Sequence, residues 1–390
     1  MNFYGEALSI KDNLVYWRRE FHMHPELGYE EVNTSSIIKK FLRENGIEYY
    51  ETAKTGICAF IKGNGSKTIG IRADIDALPI EDKKTSSYAS KIQGMMHACG
   101  HDAHASILMG TAFILNKYKE NLKGNVKLFF EPAEETTGGA KVMIKESVLE
   151  NPYVDGIIGL HVDENILSGK IGIKKGVVNA ASNPFIIKIK GKGAHGARPQ
   201  DSVDPIFIGS SVILNLQSII SRELPPTQPA VITIGTFHGG TAQNIIPEEV
   251  EITGIIRTMT VEHRKYVIKR FKEIVEGMVK SLRGQCIIEV EESYPCLYND
   301  EGMYDSFLNS ASKVINRDDI IHLSNPSMGV ESFAYFAMER PAVFYYLGVR
   351  NEEKGIIHAA HSNLFDIDED SMMLGVALHC QAAQDFLDNR

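Results

Sequence analysis

Three apolar runs constrain the fold more than any other feature, because each ends in groups that can bind metal or carry protons. Thr68-Ile69-Gly70-Ile71-Arg72-Ala73 leads into Asp74-Ile75-Asp76, and Asn125-Val126-Lys127-Leu128-Phe129-Phe130 leads into Glu131-Pro132-Ala133-Glu134-Glu135. Gly156-Ile157-Ile158-Gly159-Leu160 stops at His161. Short apolar, β-branched runs bounded by turn residues read as buried strands. Helical periodicity separates them, over Ala103 to Tyr118 and again from Gly139 through Met143 to Glu146. Independent cores would not repeatedly place acidic or metal-competent groups at strand ends. The pattern therefore predicts an α/β fold: a mixed, mostly parallel sheet flanked by helices, with a site at its carboxyl edge.

A chain of 390 residues exceeds one ordinary core, so two domains are expected. The rhythm changes near Asn183. Phe185–Lys190 alternates like a half-exposed strand, and Val203 to Arg222 is helical. Ala230–Ile234 and Glu249–Arg257 are strands, Val261 to Leu282 is a long amphipathic helix, and Gln285–Val290 is a strand. That order is β-α-β-β-α-β, the ferredoxin-like plan, inserted into the first domain. The expected boundaries are 1–181 with 293–390 for the larger domain and 182–292 for the insert. Elsewhere, Ile10 to Asn45 reads as two helices around a turn at His22-Met23-His24-Pro25, because Pro25 holds His24 extended. Ile57–Ile61 and Thr68–Asp74 read as a hairpin closed by Gly63-Asn64-Gly65-Ser66. Ala342–Tyr346 reads as a buried strand and Glu369 to Asp388 as a closing helix.

The formal net charge is −9, and no basic cluster occurs, which argues against nucleic acid and anionic membrane as partners. The start, Met1-Asn2-Phe3-Tyr4-Gly5-Glu6, lacks a basic segment followed by an apolar run, and no apolar stretch is long enough to span a bilayer. Five scattered cysteines suit a reducing compartment, with thiols free or metal-bound. Cytoplasmic localisation is the expectation.

The densest chemistry lies in Met96-His97-Ala98-Cys99-Gly100-His101-Asp102-Ala103-His104. Imidazole, thiol and carboxylate are the side chains that bind transition metals. An extended segment would point His97, Cys99 and His101 the same way. The alternative is a polar strand-to-helix loop with an incidental thiol. Glu134-Glu135 is the second signal. Neighbours on an extended chain face opposite sides, so one carboxylate can bind metal while the other meets substrate water as a general base. His161 and the late loop His358-Ala359-Ala360-His361 add imidazoles. With Cys99, His101 and Glu135 these make five candidates, too many for one tetrahedral ion with an open position, but suited to two close ions. His22 and His24, beside a proline turn, read as structural.

These residues carry a resemblance. His97–His104, Arg72-Ala73-Asp74-Ile75-Asp76-Ala77-Leu78-Pro79, Glu131–Glu135, Gly159-Leu160-His161 and Gly191-Lys192-Gly193-Ala194-His195-Gly196 resemble the dinuclear metallopeptidase family of aminoacylases and carboxypeptidase G. They are similar to its amidohydrolase branch of hippurate hydrolases, indole-acetyl-amino-acid hydrolases and N-acetyldiaminopimelate deacetylases. The likeness runs from His22 to about Asp368, nearly the whole chain. It implies that Cys99, His101, Glu135, His161 and His361 ligate two divalent ions, of zinc, manganese, cobalt or nickel type. It implies that Glu134 is the general base and later proton donor. The insert would be a lid that forms a homodimer or homotetramer, with His195 reaching a neighbouring subunit's site to stabilise the oxyanion. Asn244 and Arg257 would bind the substrate's carbonyl or carboxylate, and Glu331 would line the pocket. The implied reaction is hydrolysis of an N-acyl amino acid to amino acid and carboxylic acid. Two departures stand out: Ser332, in Met328-Gly329-Val330-Glu331-Ser332-Phe333, replaces the branch's usual Asp, and Gln243 sits where an aromatic is common.

Rival readings are an N-acetyldiaminopimelate deacetylase or dipeptidase of the same family, and a Cys99 nucleophile paired with His101 or His104. From a different class, the chain could be a non-catalytic, metal-dependent binding protein for small molecules.

Overall fold

The computed structural model describes residues 1–136 and 138–389. Contacts divide the chain into two units. The first comprises Met1–Val178, Tyr298–Asn325 and the chain from Ser332 onward; the second comprises Asn179–Leu297 and Pro326–Glu331. Among the described residues, no helix is long and apolar enough to cross a membrane.

An eight-stranded sheet forms the centre of the first unit. Its middle four strands are Asn125–Glu131, Thr68–Asp74, Gly156–Leu167 and Ala342–Arg350, and each neighbouring pair runs parallel. Antiparallel strands extend it on one side, Glu48–Thr52 and Gly56–Ile61. Every residue of Thr68–Asp74 and Asn125–Glu131 is buried, as expected for strands covered on both faces. The helix His101–Lys117 packs against this sheet and is itself covered by Lys11–Met23 and Met372–Asp388. Fourteen of its residues are buried, His101 through Ala112 without a break, so it lacks the polar face of a surface helix over that span.

Two expectations are corrected. Ile57–Ile61 and Thr68–Asp74 do not pair as a hairpin. Both flank Asn125–Glu131, the former antiparallel and the latter parallel. The loop between them is instead tied to the connection entering that strand: Asn64 donates its backbone N–H to Leu122 O (2.8 Å) and its side-chain amide to Glu120 O (2.7 Å). Nor does the third strand stop at His161. It runs on to Leu167, because Ala342–Arg350 continues to pair with it after its partnership with Thr68–Asp74 ends at Gly159.

The second unit holds a four-stranded antiparallel sheet in the order Ala230–Gly239, Glu249–Thr258, Ala181–Lys190, Gln285–Val290. With the helices Pro205–Ser218 and Val261–Ser281, the chain order is β-α-β-β-α-β. Asp204 caps the first helix, accepting from the N–H groups of Ile206 and Phe207 with Pro205 at its first position; Thr260 caps the second. Val267, Phe271, Val275 and Val279 recur every fourth residue and bury one stripe of the long helix against Phe185, Ile187, Ile252 and Ile256.

Candidate metal centre

Cys99 and His101 flank Gly100, whose φ of +88° is the left-handed turn that ends the loop and starts the helix at His101. A Cβ at Gly100 would collide with Val162, the residue after His161. The late loop arrives by a backbone bond, His361 N–H to Ala98 O at 2.7 Å. Four pieces of chain distant in sequence thus bring their donors together. The donor atoms of Cys99, His101 and His161 lie within 4.8 Å of one another, and so do those of Cys99, Glu135 and His361. The two triads share Cys99. Cys99 Sγ is 3.3 Å from His161 Nε2, and His361 Nε2 is 3.2 Å from Glu135 Oε1.

Backbone carbonyls fix the orientation of two of the imidazoles. His101 Nδ1 is 2.9 Å from the Asp76 carbonyl oxygen, and His161 Nδ1 is 2.6 Å from the Val162 carbonyl oxygen. A carbonyl only accepts, so each Nδ1 carries a proton, which turns each Nε2 toward the other donors. His101 Nε2 is buried 3.7 Å from Asp74 and 3.9 Å from Glu135, beyond hydrogen-bond reach of either. A buried nitrogen without a hydrogen-bond partner, aimed at a carboxylate and a thiol, fits a bound divalent ion. Burial first, and then the Glu135 carboxylate, hold the Cys99 thiol well above its ordinary range. A free thiolate nucleophile is therefore disfavoured, whereas coordination deprotonates such a thiol.

Glu134 and Glu135 sit on a turn strained at Ala133, whose φ is +55°. Three buried or half-buried backbone N–H groups, two in this turn and one in the helix Gly139–Lys145 that follows, each end on a carboxylate. Ala133 N–H donates to Glu31 Oε1 (2.8 Å), Glu135 N–H to Asp76 Oδ2 (3.0 Å) and Ala140 N–H to Glu131 Oε1 (2.6 Å). Glu31 is fully buried; burial raises its pKa, against the hydrogen bond from Thr55. Beneath the turn lies Arg72, also fully buried. Its Nε reaches Glu131 (2.6 Å), Nη1 reaches Asp74 (2.7 Å) and Nη2 reaches Ser332 Oγ (2.7 Å). Asp74 in turn accepts from His104 Nδ1 at 2.5 Å.

His104 does not join the donor cluster as a ligand in this arrangement. Its Nε2 accepts the Val162 N–H at 2.9 Å, and burial pushes its pKa down to about 4, so it stays neutral and bridges Asp74 to the strand carrying His161. His97 also turns away: both ring nitrogens are buried without hydrogen-bond partners and burial lowers its pKa to about 3. Asp102 accepts from Ala103 N–H, His22 Nδ1 (2.6 Å) and Arg18 Nε (2.9 Å). His22 is accordingly a structural residue in the last turn of Lys11–Met23, and His24 bonds to Glu20 O.

The sequence pattern does not single out Arg72, Glu31 and Glu131 as supports of the site. For Arg72 and Glu131 a signal is nonetheless present: a charge inside a strand buried on both faces must find a buried partner.

His195, Asn244, Arg257 and Glu331 all belong to the second unit. Ala194–His195 pairs with Ile245–Ile246, and Gly196 N–H donates to Asn244 O at 2.7 Å, so His195 and Asn244 line one cavity of about 820 Å³. His195 is exposed, and its Nδ1 accepts the Ala197 N–H at 3.1 Å. Arg257 is half-buried on the interior strand Glu249–Thr258, and its Nη1 is buried without an acceptor.

The chain matches known proteins along nearly its whole length. Residues 70–385 match peptidase family M20/M25/M40. The chain belongs to that family. Thermostable carboxypeptidase 2 of Saccharolobus solfataricus is 37% identical over 98% of this chain and 97% of its own length. N-acetyl-L-cysteine deacetylase of Bacillus subtilis is 38% identical over 98% of this chain and 90% of its own. A solved dinuclear metal binding peptidase from Bacillus subtilis, of the M20 family, superposes with a TM-score of 0.84 at 33% identity, covering 98% of this chain and 99% of that one.

Proposed function

We propose that this chain is a metal-dependent amidohydrolase that cleaves N-acyl amino acids to an amino acid and a carboxylic acid. The observation that carries the reading is the pair of donor triads sharing Cys99, with Glu134 beside them. Cys99, His101, Glu135, His161 and His361 would hold two divalent ions. A thiol, imidazoles and a carboxylate suit zinc, manganese, cobalt or nickel better than magnesium or calcium. Such ions, when bound, would supply polarisation of a scissile carbonyl and a nucleophile from water near neutral pH. Glu134 takes the proton of the attacking water and returns it to the leaving nitrogen.

His195 stabilises the oxyanion. The Ala197 N–H on Nδ1 leaves the proton on Nε2, which makes it a positioned donor toward developing charge. Arg257 takes the substrate carboxylate, since a guanidinium nitrogen buried without an acceptor suits an anion. Asn244 supplies an amide to the carbonyl, and Glu331 lines the pocket. Residues 1–181 and 293–390 serve as the catalytic domain and 182–292 as a lid. The exposed Phe207 and Leu214 on the helix Pro205–Ser218 support assembly into a homodimer or homotetramer through that lid. The five cysteines stand unpaired, which suits the cytoplasm. The Bacillus subtilis relative, by its name, acts on an N-acetyl amino acid, which supports this substrate class over a longer peptide.

The test is hydrolysis by metal-reconstituted protein of a panel of N-acetyl, N-benzoyl and longer acyl-amino acids, with N-acetyldiaminopimelate and dipeptides. Turnover of one or more acyl-amino acids is expected. Tight binding without turnover in fully metallated protein would instead indicate a binding protein.

A further inference from the structure

Ser332 touches both the turn's anchor and the proposed base. It is completely buried. Its hydroxyl accepts from Arg72 Nη2 at 2.7 Å and donates to Glu131 Oε1 at 2.6 Å. Its backbone N–H donates to Glu134 Oε1 at 3.0 Å. Glu131 and Glu134 are the two ends of the strained turn through Ala133, so Ser332 grips the turn at its root and at its tip. The residue is itself firmly mounted. Phe333, next in the chain, is fully buried, with its ring 5.2 Å from Phe344 on a central strand. Phe336, one turn along the helix Phe333–Glu339, stacks on Phe129 at 5.3 Å with the rings 12° from parallel.

The chemistry asks for a hydroxyl here. Arg72 can only donate and Glu131, ionised against Arg72, can only accept. A single atom between them must accept from one and donate to the other, which a hydroxyl does and a methyl cannot. We infer that Ser332 is a positioning residue for proton transfer: its hydroxyl, locked between Arg72 and Glu131, aims its own N–H at Glu134 and fixes that carboxylate's rotamer. The inference rests on Glu134 acting as the base. A carboxylate held by one oxygen loses rotational freedom about its terminal torsion, which is otherwise broad. The base then meets the water in one orientation rather than several, and misplacement of about 1 Å in such a group costs roughly 100-fold in rate.

The experiment compares Ser332→Ala and Ser332→Thr with the wild type, each loaded with metal, for kcat, KM, metal content and the crystal structure. In Ser332→Ala, kcat should fall roughly 10- to 100-fold while KM and bound metal stay within about twofold. Ser332→Thr, which keeps the hydroxyl, should recover most of the loss. In a Glu134→Gln background the Ala substitution should change the residual rate little, because the group it positions is already disabled. The Ser332→Ala crystal structure should show Glu134 moved off the N–H of residue 332. An unchanged kcat, a loss that follows metal content, or a Glu134 side chain that stays in place would overturn the inference. Failure of the wild type to turn over any acyl-amino acid would sink the proposed function instead, and the rotamer of Glu134 in Ser332→Ala would still decide the role of Ser332.

Discussion

Replacing Arg72 by Met would test whether the buried charge network holds the site's sheet edge together. The guanidinium meets two carboxylates and a hydroxyl, and Arg72, Asp74, Glu131 and Ser332 are all completely buried, so solvent screens none of these contacts. Met keeps much of the stem's volume and removes the charge. Breaking a buried ion pair from one side costs about 3–5 kcal/mol. Protonation sets a ceiling on that loss. Each stranded carboxylate can take a proton at pH 7, which costs about 1.4 kcal/mol per pKa unit over roughly 3 units, or about 4 kcal/mol apiece. His104 still donates to Asp74, and Ser332 and Ala140 still donate to Glu131, so the loss should stay well below two such ceilings. We expect a loss of about 3–5 kcal/mol, read as a melting temperature lower by roughly 6–10 °C at about 2 °C per kcal/mol for a unit this large. Arg72→Lys should lie between, since it keeps the charge but not the fork. The assay is urea and thermal unfolding of both proteins stripped of metal with a chelator, so that metal binding does not mask the difference. A loss under about 1 kcal/mol, the range of an exposed pair, would refute the reasoning.

Two more substitutions probe the same surroundings. Asp82 is half-buried with its side chain turned inward, and against the cost of burial its hydrogen bonds from His22 and the N–H groups of Ser90 and Lys84 hold its carboxyl well below the usual range. A depressed folded-state pKa contributes stability that is complete above the unfolded value of about 3.9 and is lost as pH falls through the folded value. Asp82→Asn should therefore be less stable than wild type by roughly 1–3 kcal/mol at pH 7, and urea unfolding at pH 3 and below should show the gap closing; a constant gap would contradict this. Gly28→Ala would place a Cβ 2.9 Å from Cα and Cβ of Ala133 and from Thr136 Oγ1. It should displace the turn beneath Glu134, costing about 1–3 kcal/mol and lowering kcat more than it alters KM, as steady-state kinetics would report.

Much of this arrangement is legible in the sequence. Metal-competent groups at the ends of apolar runs point to a parallel sheet edge, and the donors at Cys99, His101, Glu135, His161 and His361 come together as two overlapping triads. The order of the strands stays hidden. A four-residue Gly-Asn-Gly-Ser gap reads the same whether it closes a hairpin or spans an intervening strand, and only the pairing of Asn125–Glu131 with both neighbours decides it. The continuation of the third strand past His161 depends equally on a partner, Ala342–Arg350, almost two hundred residues away. Supports are harder to read than donors. Arg72 and Glu131 become intelligible only once Ser332, distant in sequence, is seen between them. His97, one of three alternating side chains in the densest stretch, is buried with neither ring nitrogen hydrogen-bonded, and the left-handed turn at Gly100 breaks the extended spacing before His101.

If five side chains hold two ions while Glu134 moves the proton, metal binding and turnover must separate in Glu134→Gln. The decisive measurement is metal content and turnover of that variant on the same preparation. Two ions per chain are expected, as in the wild type, with kcat on the best acyl-amino acid reduced roughly 100- to 10,000-fold. Wild-type turnover by the fully metallated variant, or loss of the ions along with the activity, would contradict this assignment.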